Sequence, residues 1–283
     1  MFGHRSDGRK IKNLPPFFKV IPNIMLERAD SQVFFKQDIP LKYLDKYIEE
    51  KSLEGIKLSY MYIIYAALIR IIGQRPRLNR FAMNGNLYAR NKIFVSLAIK
   101  KNLTDDGQET TTKIAFDGSE SIFDVKEKLD LILDLNKDTS ISNDTDNVAR
   151  LLSIIPNCLI RFTVRLLRFL DRHGMMPKAI IEASPFHTSV FLTNVGSLGI
   201  DSIYHHIYNF GTTSMFFSMG KKKKSYIYED DEFREEKCIT LAFVGDERIC
   251  DGYYYASSFK LLLKYLKNPE LLENKIQVQH DIQ

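Results

Sequence analysis

Apolar residues in this chain recur with two periods, near 3.6 in some stretches and 2 in others, and their alternation outlines a layered α/β domain. From Phe34 to Ile39 the pattern predicts a strand, after which Asp38 and Pro40 open a helix with Leu41, Leu44 and Ile48 on one face. A second helix is capped by Ser59, runs through Ile63, Ile64, Ala67, Leu68 and Ile71, and stops at Gly73 with Pro76 beyond it. Phe81 to Met83 and Leu87 to Tyr88 flank Asn84-Gly85, a pair suited to the two positive-φ positions of a tight hairpin. Lys92 to Lys100 alternates Ile93, Val95, Leu97 and Ile99 against Phe94, Ser96 and Ala98, as a strand covered on both faces does. Ser121 and Asp124 make a capping box ahead of Ile122, Val125, Leu129, Ile132 and Leu133, a third helix. Asn136 to Asn147 is a polar loop. Strands return at Ser189 to Thr193, Ser214 to Met219 and Cys238 to Val244, and a helix from Tyr253 to Leu266 closes the pattern. Helices alternating with buried strands predict one mixed layered domain, and no internal repeat is visible.

Val148 to Arg172 is a strongly apolar helical region broken near Pro156, with Arg161, Arg165, Arg168 and Arg172 set between Leu159, Phe162, Leu166, Leu167 and Phe169. A basic amphipathic helix of this kind binds membranes or acidic partners in some proteins. The simpler expectation is an edge helix that packs its apolar face on the core and leaves its arginines in solvent.

Composition narrows the function classes. Forty basic and 35 acidic residues in 283 leave a net charge of +5, too balanced for a nucleic-acid binder, and 45% hydrophobic residues suffice for a sizeable core. Cys158, Cys238 and Cys250 have neither disulfide-framework nor zinc-site spacing, and His205 and His206 lack a third ligand, so no metal is expected. The apolar run Met61 to Ile72 is too short to span a bilayer, and the basic stretch from Arg5 to Lys12 reaches Pro15 without a signal-peptide core. A cytoplasmic protein without a membrane partner is the expectation. Gly-rich phosphate loops are absent. Lys221 to Lys224 can be read as a polyanion site, suited to a coenzyme's phosphates, with the acidic run Glu229 to Glu236 as its mask; the simpler expectation is the two arms of one solvated hairpin.

The segment LAFVGDERICDGYYYASSF, Leu241 to Phe259, runs an apolar strand into Asp246-Glu247-Arg248 and turns through Cys250-Asp251-Gly252 into an aromatic helix. By itself it supports only Asp251 as a helix cap and Glu247 as a strand-end charge. It also resembles the signature of the acyltransferase family that includes chloramphenicol acetyltransferase and the dihydrolipoamide acyltransferase core of 2-oxo acid dehydrogenase complexes, a strand, His-x-x-x-Asp-Gly and a helix with a downstream Phe. Asp251, Gly252 and Phe259 match that signature, and Glu247 stands where the family has its histidine. Two further segments resemble the family in the same order. Val190 to Lys222 carries the strand, the hydroxyl residue, Asn, an apolar residue and Gly, and Arg75 to Ile99 looks like the family's helix exit, hairpin and strand.

The resemblance implies a chloramphenicol acetyltransferase-like two-layer sandwich, a mixed sheet packed with helices. It divides the chain into an arm over 1–30, a catalytic domain over 31–267 and a polar tail over 268–283 that is expected to fray. It implies a free-standing homotrimer without a lipoyl attachment, using coenzyme A or acyl-coenzyme A as substrate and a small-molecule acceptor. Carried over by position, Thr193 is the oxyanion donor, Asp251 the structural carboxylate, Arg28 its partner, and Glu247 occupies the place of the base with a pKa raised by burial. His205 or His206 as base is a further possibility. The alternative class is a non-catalytic homologue acting as a coenzyme-binding, assembly or regulatory protein.

Overall fold

A computed structural model describes residues 5–100, 109–137, 156–229 and 231–281. Its centre is a six-stranded mixed sheet of order β2-β9-β8-β7-β5-β6, formed by β2 (Gln32–Pro40), β5 (Ile93–Lys100), β6 (Glu109–Phe116), β7 (Val190–Asn194), β8 (Met215–Glu229) and β9 (Glu232–Asp246). β5, β7 and β8 run parallel to their neighbours among themselves, and β2, β9 and β6 are antiparallel additions. A second sheet of order β1-β4-β3 joins Gly8–Lys10, Asn86–Arg90 and Arg80–Met83. Its tight turn places Asn84 at φ 49° and Gly85 at φ 70°, as the Asn-Gly pair predicts.

Helices cover one face of the large sheet: α2 (Lys42–Leu53), α3 (Tyr60–Gln74), α4 (Ile122–Lys137) and α7 (Gly252–Lys267). Alternation along the strands explains the two layers. Val190 and Leu192 of β7, with Phe217 of β8 and Phe243 of β9, point into the helical core, while Phe191, Phe216 and Val244 form a smaller cluster with Ile207 on the opposite face. α3 is buried along almost its whole length, because α4 and α7 pack beside it. The capping box forms in both directions: Ser121 N–H donates to Asp124 Oδ2 at 2.8 Å, and Asp124 N–H to Ser121 Oγ at 3.2 Å. The mixed sheet layered with helices is the architecture expected from the resemblance.

Four features depart from the sequence reading. β1, β6 and α1 (Pro16–Ile24) were not anticipated; β1 pairs with β4, so the N-terminal residues belong to the domain rather than to a separate arm. The C-terminal tail does not fray: Gln279 N–H donates to Gly73 O at 2.9 Å, and Asp281 forms an ion pair with buried Arg80. α5 (Asn157–Arg172), of which the predicted helical region before residue 156 lies outside the described residues, leaves much of its apolar face in solvent, with Phe162 at 65% and Phe169 at 52% exposure. Most of the predicted polar loop also lies outside the described residues. Finally, a buried network anchors the N-terminus to α5 and to the turn that follows α6 (Lys178–Ala183): Arg5 holds Asp7 at 2.9 Å and Asp171 at 2.7 Å, Asp171 meets His187 Nε2 at 3.2 Å, and His187 Nδ1 meets Ser184 Oγ at 2.8 Å. Burial raises the Asp171 carboxyl, but the hydrogen bond with His187 and the charge of Arg5 outweigh it and bring it down to about 2.

Candidate functional site

β5 and β7 are adjacent parallel strands, and their carboxyl ends open onto a cavity of about 380 Å³. A crevice beyond the carboxyl ends of parallel strands is where open α/β sheets bind ligands, and this volume is within the range of small-molecule pockets. Its walls are apolar: Met61 and Tyr65 from α3, Leu129 from α4, Leu97 from β5 and Phe216 from β8. The polar groups come from the β7 exit, Thr193, Asn194 and Ser197, and from His205. Among the described residues the Thr193 side chain has no protein hydrogen-bond partner, which leaves its hydroxyl able to donate into the cavity.

The β7 exit is held by close backbone approach. A Cβ on Gly196 would sit 2.5 Å from the Gly220 carbonyl oxygen of β8, and one on Gly220 would sit 2.4 Å from Ser202 N. The Asn-Val-Gly run after Thr193 therefore packs directly on the neighbouring strand, which fixes where Thr193 faces.

His205 lies on the same cavity, its ring stacked on Phe216 at 4.2 Å between centroids. Its Nδ1 contacts the His206 carbonyl oxygen at 2.8 Å. A carbonyl only accepts, so Nδ1 carries the proton and Nε2 keeps its lone pair. Burial lowers the His205 pKa, against the opposing effect of that carbonyl. The ring is thus a neutral base at pH 7. Its neighbour His206 is exposed and does not line the cavity.

Glu247 lies elsewhere. In register, Thr193 pairs with Ser218 and Ser218 with Ala242, while Asp246 ends β9 opposite Gln32. Ala242 and Glu247 are five positions apart, about 16 Å along a strand. Within one chain Thr193 at the exit of β7 and Glu247, level with the entry of β7, are therefore well apart. Glu247 is exposed in the single chain, contrary to the burial expected of it, and only its backbone N–H is fixed, donating to Ser31 O at 2.8 Å.

The expected pairing of Arg28 with Asp251 is not found. Asp251 is exposed and caps α7, its Oδ1 accepting from Tyr254 N–H at 2.8 Å, with Arg77 3.9 Å from its other oxygen. Arg28 is buried and donates to the carbonyls of Thr213 at 2.8 Å and Ala82 at 3.0 Å. The buried carboxylate is Asp246, fully inaccessible, which accepts from Arg248 Nε at 2.8 Å, Arg248 Nη2 at 2.7 Å and Ser31 Oγ at 3.0 Å. The register explains the exchange: β2 lies against β9 with Gln32 opposite Asp246, so the segment that leads into β2 surrounds Asp246, and the following turn carries Asp251 out to the surface. An apolar strand ending in Asp-x-Arg was the available signal, since a carboxylate closing a buried strand requires a cation within reach. Burial and the like charge of Arg248 lower the Arg28 pKa to about 10, with Asp246 acting in the opposite direction.

Residues 184–273, which include Thr193, His205, Glu247 and Asp251, match the model of the 2-oxoacid dehydrogenases acyltransferase (catalytic domain) family. Among solved structures, the probable dihydrolipoamide acetyltransferase of Listeria monocytogenes aligns with a TM-score of 0.56 at 15% identity over 92% of this chain and 94% of that one. The chain carries the acyltransferase catalytic-domain fold. Chloramphenicol acetyltransferase aligns with a TM-score of 0.55 at 12% identity, covering 92% of this acyltransferase-like chain and all of the other, 100%. The dihydrolipoamide acetyltransferase of Azotobacter vinelandii aligns at 0.56 and 14% identity over 93% and 94%. That enzyme is described for the roles of a serine, a histidine and an asparagine in its catalytic mechanism. No curated protein matches the chain. Among the described residues no group of His, Cys, Asp or Glu could hold a metal, and no helix is long and apolar enough to cross a membrane.

Proposed function

We propose that this chain transfers an acyl group from acyl-coenzyme A, or a related thioester, to a small acceptor, with Thr193 as the oxyanion donor. The supporting observation is the Thr193 side chain, without a protein partner on the wall of an apolar cavity, at the carboxyl end of a central strand and within the segment matched by the acyltransferase family. In the reaction a base removes the acceptor's proton as the acceptor attacks the thioester carbon. The oxyanion so formed takes a hydrogen bond from the Thr193 hydroxyl, and its collapse breaks the carbon–sulfur bond. The departing thiolate recovers the proton from the base. The apolar walls keep water from competing as acceptor.

Glu247 holds the position of the family's base, and the separation of some 16 Å along the strands means that it meets Thr193 only across two chains. A trimer with its sites between subunits follows from this reading, and such an interface would bury the now exposed Glu247. A second reading has its own support: His205 is a neutral imidazole on the cavity that Thr193 lines, with Nε2 free to accept a proton. Release of coenzyme A from acetyl-coenzyme A, followed with a thiol reagent, separates the two. Glu247→Gln abolishes release if Glu247 is the base, whereas His205→Gln lowers it about 10²–10⁴-fold if His205 is. Turnover by the parent chain that survives both substitutions would reject both bases, and coenzyme binding with no turnover in the parent chain would favour the non-catalytic homologue.

A further inference from the structure

α5 is built in stripes. Arg161, Arg165, Arg168 and Arg172 recur at spacings of four and three along one side, and Leu159, Phe162, Leu166 and Phe169 follow the same rhythm on the adjacent side. The apolar stripe is exposed, with Leu159 51%, Phe162 65%, Leu166 45% and Phe169 52% accessible, and so are Arg161, Arg165 and Arg172 beside it. A second apolar stripe lies close by on α1 and just beyond it, where Phe17, Val20, Ile24 and Leu26 are 67%, 53%, 69% and 70% accessible. Glu27 joins the two, receiving Arg168 at 2.7 Å and also bonding Arg172, so the C-terminal half of α5 lies against the segment that leaves α1.

Sign segregation identifies the occupant. α1 contains no acidic residue, the only acid of α5, Asp171, is buried and committed to Arg5 and His187, and Glu27 between the stripes is taken up by Arg168 and Arg172, which leaves Arg161 and Arg165 as the exposed cations of the face. In a chain whose charges otherwise nearly cancel, this face combines bulky apolar side chains with cations, as helices that lie in the plane of a bilayer do, their rings at the acyl boundary and their guanidinium groups among the headgroup phosphates. A complementary protein surface exists on a second copy, the β8–β9 hairpin with exposed Tyr226, Tyr228 and Phe233 beside Glu232 and Glu235. Two strands about 5 Å apart make a narrow ribbon, however, whereas α5 alone is about 24 Å long and a second stripe adjoins it. A flat anionic surface covers both. We propose that the α1–α5 face docks on an anionic lipid surface as a peripheral, non-spanning contact.

The test is co-sedimentation of the full chain with vesicles of phosphatidylcholine alone and of phosphatidylcholine with about one third phosphatidylserine, with molar mass in lipid-free solution measured in parallel. The anionic vesicles are expected to pellet the protein and the neutral ones not, with binding weakened by added salt. Arg161→Gln together with Arg165→Gln is expected to weaken binding about 30-fold, from roughly fivefold per basic residue near an anionic surface. Phe162→Ser with Phe169→Ser should also abolish pelleting without changing the molar mass or the unfolding temperature. Absence of binding to the anionic vesicles, or equal binding to both kinds, would overturn the proposal. So would a fall in molar mass on either α5 substitution or on Phe233→Ser with vesicle binding unchanged, since the face would then be a contact between copies.

Discussion

Replacing Asp246 by Ala should be the most destabilising single change near the end of β9, and replacing Asp251 by Ala should cost far less. Asp246 is fully buried and accepts from Arg248 and Ser31, with Arg28 close enough that its pKa responds to the Asp246 charge. Its removal leaves buried Arg248, 3% exposed, without its carboxylate, and takes an opposing charge away from Arg28, also 3% exposed, whose own hydrogen bonds go to backbone carbonyls. An uncompensated buried charge costs about 3–5 kcal/mol. Asp251 caps α7 with one hydrogen bond from an exposed position, and loss of such a cap costs about 1 kcal/mol. At about 2–4 °C per kcal/mol for a domain of this size, the two variants should lose roughly 6–20 °C and 2–4 °C of melting temperature. Urea titrations at pH 7, followed by circular dichroism with the parent chain alongside, read both free energies. A loss on Asp251→Ala equal to or larger than that on Asp246→Ala would refute the assignment of Asp246 as the buried partner and restore Asp251 to that place.

Further expectations follow from other parts of the fold. Asp171 and His187 both have lowered pKa values, so each contributes stability that is present above its unfolded pKa and lost as the pH falls through its folded one. Thermal stability should therefore begin to fall below about pH 6.5 and continue falling towards pH 2, and a flat profile from pH 7 to 4 would contradict the buried network. Asp281→Ala should lower stability by a few kcal/mol in urea because it leaves Arg80, 1% exposed, without its carboxylate, whereas a frayed tail would show no change. Light scattering should give the mass of a trimer at micromolar concentration, and a monomer across the range would remove the shared site from the proposal.

Much of the fold was legible because its signals are local. The Asn84-Gly85 turn, the Ser121/Asp124 capping box and the alternation in β5 each specify an element through neighbouring residues. What the sequence hid is set by long-range pairing. Nothing in Glu109 to Phe116 requires it to be an edge strand; β5 supplies the partner. The polar tail reads as loose, but Gly73 and Arg80, some 200 positions earlier in the chain, receive it. The same limit applied at the site. Resemblance gave Thr193 and Glu247 by position, but the register of β7, β8 and β9 was needed to see that they stand at opposite strand ends, and the ring contact with Phe216 to see that His205 shares the cavity with Thr193.

The central claim is acyl transfer at the cavity that Thr193 lines, and Thr193→Ala tests it most directly. Thiol release from acetyl-coenzyme A, with coenzyme A binding measured by calorimetry on the same samples, should show turnover by the parent chain and a fall of about 10²–10³-fold in the variant with binding retained, the usual effect of losing one oxyanion donor. Equal turnover by both proteins, or neither turnover nor coenzyme A binding by the parent chain, would contradict it.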